Sequence, residues 1–255
     1  MIDPRWRQQL HARASSPPSR PRVPLTWNGL VIGSVEPGLF AAVELPDGLL
    51  RRTQECEVTG DLTENLARIA EALRHAGLVH AWRNEQLAVA DETGRELGTV
   101  ERGVVRLLGI STHVVHLLGF DPSGRHWLQL RALTKPDDPG LWDTLVGGMV
   151  PAGEIAASAL ARETLEEAGL TLQQLRDLAP GGMAISRGPS AVTPAGYVVE
   201  RLTWYRCVVP EGVTPVNRDG EVAEFQRMSG DEVATRLQRG EFTLEAALLL
   251  LQCGL

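Results

Sequence analysis

Apolar and polar positions fall into two textures along this chain, and the change comes near residue 110. Leu25 to Arg52 predicts short strands, LTWNGLVIGSV and then LFAAVEL, with turns at Asn28-Gly29 and Asp47-Gly48. From Leu62 to Ala76 the apolar residues Leu66, Ile69, Ala70 and Leu73 recur at helical spacing, and Gly77 ends the run. AWRNEQLAVAD then predicts a strand, and Val100 to Leu108 a short helix. Ahead of all this, residues 4–13 predict a short helix after Asp3-Pro4. Ser15 to Pro24 holds four prolines and predicts a linker or extended arm.

Beyond Ser111 the apolar runs are longer. THVVHLLGF and HWLQLRAL predict two strands joined by a turn at Asp121 to Gly124, and LWDTLVGGM predicts another. Further strands are expected at Met183 to Ser186, Tyr197 to Val209 and Glu221 to Met228, with helices at Gly230 to Arg239 and Thr243 to Gln252. Interleaved strands and helices predict a mixed α/β (α+β) fold. The expected division is an N-terminal α+β domain over residues 1–110, its first 24 residues an arm, and a second domain over 111–255.

Between these strands lies GMVPAGEIAASALARETLEEAGL, Gly148 to Leu170. Pro151 and Gly153 mark a loop, while Glu154 to Ala168 lacks Gly and Pro and predicts a helix. Helical spacing puts Glu163, Glu166 and Glu167 on one face, with Ala157, Ala161, Thr164, Leu165 and Ala168 roughly opposite and free to pack on a core. Like charges at this spacing repel. A hard divalent cation would reverse that repulsion, and Mg²⁺ commonly joins one or two carboxylates to a substrate phosphate. Gly147 and Gly148 let the backbone approach closely, so a carbonyl there is a further candidate ligand. Three glutamates alone describe an ordinary solvated face; their setting among the other spaced residues makes them a candidate site.

Composition narrows the classes. The chain has 255 residues, 43% hydrophobic and 22% charged, as in globular proteins. A net charge of −7 argues against general nucleic-acid binding, and no apolar run is long enough to span a bilayer. Cys56, Cys207 and Cys253 are too few and too scattered for a disulfide framework or a zinc site, so a reducing, cytoplasmic setting is expected. Lys135 is the sole lysine among 25 basic residues, which suggests a GC-rich, bacterial genome. That arginine bias also weakens a transit-peptide reading of the Arg- and Ser-rich residues 5–22.

Gly148, Glu154, the pair Arg162-Glu163, the pair Glu166-Glu167 and Gly169 stand at every constrained position of the 23-residue signature of the Nudix superfamily, which this segment resembles. The resemblance implies an α/β/α sandwich with a mixed sheet and metal-dependent cleavage of diphosphates. It implies Mg²⁺ or Mn²⁺ held by Glu163, Glu166, Glu167 and the Gly147 carbonyl, with Arg162 orienting a carboxylate and Glu154 pairing within the loop–helix unit. Glu163 is the first candidate for general base, and Glu221 and Glu224 are candidates outside the signature. Arg131 and Lys135, in RALTK, are candidates to meet the diphosphate.

The flanks are similar to a narrower subfamily, related to the C-terminal part of fungal thiamine pyrophosphokinase and carrying a characteristic N-terminal domain of unknown function. WNGLVIGSVEP, LRHAGLVHAWRNE, RALTKPDDPGLWDTLVGGMVPAGE and PVNRDGEVAEFQRMSGDEV carry this likeness; Ser186 to Gly196 does not. It implies conversion of thiamine diphosphate, or its oxidised analogues, to the monophosphate; a monomer or homodimer is expected. Hydrolysis of nucleotide sugars or other nucleoside diphosphate derivatives is the alternative among enzymes. A ligand sensor or interaction module is the alternative outside them, one that loss of signature carboxylates would favour; none is lost. Isomerase chemistry on isoprenoid diphosphates occurs on this fold with additional site residues that are not identified in this sequence. No Walker-type glycine loop supports a kinase. Trp82 is a candidate to stack on a ring, and His113 and His116 read as structural.

Overall fold

The computed structural model describes residues 2–52 and 55–255. Helix α1 (Pro4–Arg13) starts where the Asp3 carboxylate accepts a hydrogen bond from the Arg5 N–H. Strands β1 (Val23–Trp27) and β2 (Leu30–Val35) form a hairpin whose turn residues Asn28 and Gly29 both take positive φ, 47° and 77°. An Asn-Gly pair suits that geometry. β3 (Leu50–Arg52) and β4 (Cys56–Val58) complete a four-stranded sheet in the order β2-β1-β4-β3. Helix α2 (Leu62–His75) lays Leu66, Ile69, Ala70 and Leu73 into the core beneath it, the predicted stripe. β5 (Gln86–Ala90) and β6 (Glu96–Glu101) form a separate hairpin.

Two local expectations are overturned here. Leu39–Ala42 is a 3₁₀ turn rather than a strand. The helix expected over Val100 to Leu108 is instead the end of β6 and a 3₁₀ turn at Arg102–Val104. The Glu101 carboxylate accepts hydrogen bonds from the Arg83 and Gly103 N–H groups (2.7 and 3.2 Å), which ties this stretch to a neighbouring loop and favours a cap over a helix.

The larger sheet contains β7 (Thr112–Phe120), β8 (His126–Arg131), β9 (Trp142–Asp143), β10 (Val146–Met149), β11 (Arg176–Pro189), β12 (Tyr197–Val208) and β13 (Val222–Met228). Its order is β11-β12-β7-β8-β13, with β7 and β12 parallel and the other pairs antiparallel. β7 touches β8 only at Gly119–Phe120; towards its other end β7 pairs β10, while β8 pairs β9. The sheet therefore forks. Helix α3 (Ala156–Ala168) packs on one face over Val115, Leu117 and Val146. α1, α4 (Gly230–Gln238) and α5 (Leu244–Gln252) cover the other, over Val114, Leu118 and Leu202. This is an α/β/α sandwich with a mixed sheet. No described helix is long and apolar enough to cross a membrane.

Hydrogen bonds stitch the two halves. The Arg22 guanidinium donates to the carbonyls of Ser34, Leu107 and Ala195. The Ala152 N–H, in the loop before α3, donates to the Gln86 carbonyl at 2.8 Å.

Candidate active site

The orientation of α3 differs from the amphipathic reading of its sequence. Ala157, Ala161 and Leu165 face solvent, and the buried stripe is Ala159, Leu160, Thr164, Glu167 and Ala168. The glutamate face is thus turned towards the sheet. Small residues at 157 and 161 bury little area wherever they point, so the larger Leu160 and its neighbours set the rotation. Gly169, at φ 63°, closes the helix in the left-handed conformation, its N–H donating to the Leu165 carbonyl.

Arg162 organises the carboxylates. One of its terminal nitrogens donates to Glu163 at 2.8 Å and Glu166 at 3.0 Å; the other donates to Glu154 at 3.2 Å and to the Met149 carbonyl at 3.3 Å. One planar guanidinium therefore fixes three glutamates and the strand end of β10, a geometry an ammonium could not reproduce. Glu163 lies directly over Gly148, where an added Cβ would overlap its carboxylate. Glu167 is almost wholly buried and accepts hydrogen bonds from the Gly147 N–H at 2.9 Å and the Gln129 amide at 3.1 Å.

Burial pushes the Glu163 carboxyl up to about 7 against the pull of Arg162, with Glu166 and Glu221 adding repulsion. Burial pushes Glu167 up to about 8, opposed by the Gly147 hydrogen bond and reinforced by Glu163 and Asp143. Crowded carboxylate oxygens whose charge is disfavoured, beside a backbone carbonyl, are the donor chemistry of a hard divalent cation. Among the described residues, no three His, Cys, Asp or Glu side chains form a ready-made cage. Arg162 stands between Glu163 and Glu166 instead.

The remaining candidates separate. Lys135 is ion-paired with Glu221, and the two charges reach Glu167 and Glu163 respectively. Glu224 is exposed and makes no ion pair within 4.0 Å among the described residues. Arg131 turns inward, pairing with Asp143 at 3.3 Å and donating to the Asp137 carbonyl. Trp82 carries Arg74 over its ring at 4.5 Å. His116 is buried and hydrogen-bonded to Thr144, and His113 to Thr203. The sequence does not single out Gln129, Asp143 or Thr144; the one signal is Gln129 standing between Leu128 and Leu130.

Residues 109–248 match the NUDIX domain. The chain is 28% identical over 202 residues to Nudix hydrolase 20, chloroplastic, of Arabidopsis thaliana, covering 77% of this chain and 53% of that protein, so it spans about half the plant protein's length. It is 31% identical over 158 residues to an isopentenyl-diphosphate Delta-isomerase of Streptomyces griseus, covering 62% of this chain and 77% of that one. The crystal structure of DR0079 from Deinococcus radiodurans superposes with a TM-score of 0.54 at 20% identity, over 67% of this chain and all of that one, a likeness of fold. With an intact signature folded in this way and a family match across more than half its length, the chain belongs to the Nudix family.

Proposed function

We propose that this protein is a divalent-metal-dependent hydrolase that splits organic diphosphates, and that thiamine diphosphate or its oxidised analogues are its substrates. The observation that carries the hydrolase reading is the Arg162-centred set of Glu154, Glu163 and Glu166 beside Gly147–Gly148 and Glu167. The substrate rests on the likeness of the flanking segments to the thiamine pyrophosphokinase-related subfamily.

In this reading Glu163, Glu166, Glu167 and the Gly147 carbonyl hold Mg²⁺ or Mn²⁺. The bound cation would polarise the diphosphate and supply a hydroxide at neutral pH. Arg162 keeps Glu163 and Glu166 aimed by charge-assisted hydrogen bonds, and the Gly147 N–H with Gln129 does the same for Glu167. Lys135, ion-paired with Glu221 here, would exchange that partner for a diphosphate oxygen. Glu163 is the first general base, and Glu221 the alternative outside the signature. Residues 1–110 and 111–255 act as two domains, the first bracing the signature loop through Gln86 and Ala152.

The test is release of phosphate and monophosphate by purified protein with Mg²⁺. The panel holds thiamine diphosphate, its oxo and oxy analogues, ADP-ribose, nucleotide sugars, nucleoside triphosphates and isopentenyl diphosphate. Selective turnover of the thiamine compounds is expected. Turnover confined to nucleotide derivatives would remove the thiamine assignment and keep the site. Isomerisation of isopentenyl diphosphate without hydrolysis, or no turnover at all, would remove the hydrolase reading.

A further inference from the structure

Lys135, the sole lysine of the chain, stands in the segment 132–140 between β8 and β9. After Ala132 none of these residues is buried, so apolar packing does little to set the shape of the segment. Polar ties set it instead. The Ala132 N–H donates to the Glu221 carbonyl at 2.9 Å and the Gly140 N–H to the Arg131 carbonyl at 3.1 Å, which fixes the two ends. The Lys135 N–H donates to the Ala132 carbonyl at 3.1 Å. Between the ends, two guanidiniums meet on Asp137. Arg131 donates to its carbonyl at 3.0 and 3.3 Å, and Arg106 donates to its carboxylate at 2.6 Å. The next residue, Asp138, takes φ 49°, a left-handed backbone that a non-glycine residue holds at some cost.

Arg106 reaches this segment from outside the matched residues 109–248, and from a rigid base. Its carbonyl accepts hydrogen bonds from the Tyr197 N–H at 2.8 Å and the Gly109 N–H at 3.2 Å. Its neighbours Val105, Leu107 and Leu108 are buried in the core that also holds the apolar stripe of α2. The Arg106 side chain is itself mostly shielded from water, and Asp137 is its one ion-pair partner within 4.0 Å among the described residues. Glu200 and Glu245 also act on Arg106, at longer range. Burial first, then neighbouring carboxylates, raise the pKa of both, so they offer Arg106 little charge at neutral pH. Opening the pair with Asp137 would leave a shielded guanidinium without a counter-charge, which is costly. Arg106 is thus a firm anchor for the middle of the segment.

Lys135 lies two residues before Asp137, and its charge reaches the signature carboxylate Glu167. We propose that Arg106 is a positioning residue: by gripping Asp137 it holds residues 132–140 in the shape that presents Lys135 to the diphosphate. The first 110 residues then act on substrate binding through an ion pair, without touching substrate. This rests on the reading of Lys135 as a diphosphate contact, while the grip on the segment stands apart from turnover.

The experiment takes two readouts on the full chain. Amide hydrogen exchange, without added metal, reads the grip itself. Arg106→Gln and Asp137→Asn should each speed exchange at the Lys135 and Gly140 amides at least about tenfold and leave the α3 amides unchanged. Unchanged exchange at both amides would overturn the proposal. Calorimetric titration with methylene diphosphonate and Mg²⁺ reads the consequence for binding. Arg106→Gln, Asp137→Asn and Lys135→Ala should each weaken binding about tenfold. In a Lys135→Ala background Arg106→Gln should cost less than about twofold more, because both act through one contact. Additive losses, or no binding by wild type, would overturn the proposal. Asp137→Asn, in the segment without buried packing, carries both readouts if Arg106→Gln does not fold. In turnover, Arg106→Gln should raise KM about tenfold and lower kcat by less than about threefold. Arg106-dependent binding with no turnover of any diphosphate would keep the proposal and remove the hydrolase reading. Turnover with additive losses would do the reverse.

Discussion

Gly148 has no room for a side chain because the carboxylate of Glu163, fifteen residues along the chain, rests against its Cα. The close approach explains a glycine at this signature position by packing rather than by backbone angle. Gly148→Ala should displace Glu163, destabilise the fold by about 1–3 kcal/mol and abolish most turnover. A melt and a rate measured on the same preparation check this. Wild-type values for both would mean that the Glu163 carboxylate lies elsewhere in solution.

Arg162→Lys keeps the charge and loses the fork. One ammonium cannot span Glu154, Glu163, Glu166 and the Met149 carbonyl together. Each lost charge-assisted hydrogen bond is worth about 1.5–3 kcal/mol, so turnover should fall about ten- to hundredfold. Full activity in the lysine variant would show that charge alone suffices.

Glu166→Gln is the sharper test of the metal assignment. Its side chain is 48% exposed, so stability should stay within about 0.5 kcal/mol of wild type. Turnover with Mg²⁺ should drop about tenfold or more, at least 1.4 kcal/mol in the barrier. Near-normal rates across a Mg²⁺ titration would exclude Glu166 as a ligand.

Acid stability should depend on Asp121, in the turn between β7 and β8. Burial works to raise its pKa but is outweighed by hydrogen bonds from Ser123 and Arg125, which hold it at about 2, below the usual value of 3.8. A depressed carboxylate stabilises the fold fully above its unfolded pKa and loses that contribution as pH falls through the folded one. Asp121→Asn should therefore be less stable than wild type at pH 7. The gap should close between about pH 4 and pH 2 in denaturant melts. A gap independent of pH would assign the effect to lost hydrogen bonds alone.

Cutting the chain at residue 111 should damage what remains as well as remove what precedes it. The cut takes away α1, whose Leu10 and Ala14 belong to the core beneath α5, and the Gln86 carbonyl that holds the Ala152 N–H. A truncated chain of residues 111–255 should be poorly soluble or lose kcat/KM on the preferred substrate. Soluble protein with unchanged kcat/KM would make the first 110 residues dispensable.

Much of the fold beyond Ser111 was legible because its strands are long, apolar and separated by clear turn residues, and because the signature spaces its charges rigidly. The helix from Leu62 was legible for the same reason: its apolar stripe has one period. LFAAVEL and the segment after Val100 misled because short apolar runs carry no reliable period, and local caps such as Glu101 decide them. The rotation of α3 was not legible. Alanines at 157 and 161 look apolar but contribute little, and the burial of Glu167 needs Gln129 and Gly147 from distant strands.

The packing of α1 against α5 has a consequence for how the protein is made. An early helix finds its resting place only when a segment more than two hundred residues later has been synthesised. At about 5–20 residues per second that delay is on the order of ten seconds or more. During this interval Leu10 and its apolar neighbours stay exposed to the cell. The large sheet can begin to assemble on the ribosome, but one of its faces stays uncovered until α5 emerges. Newly made chains, more than mature protein, should therefore be the form that engages chaperones.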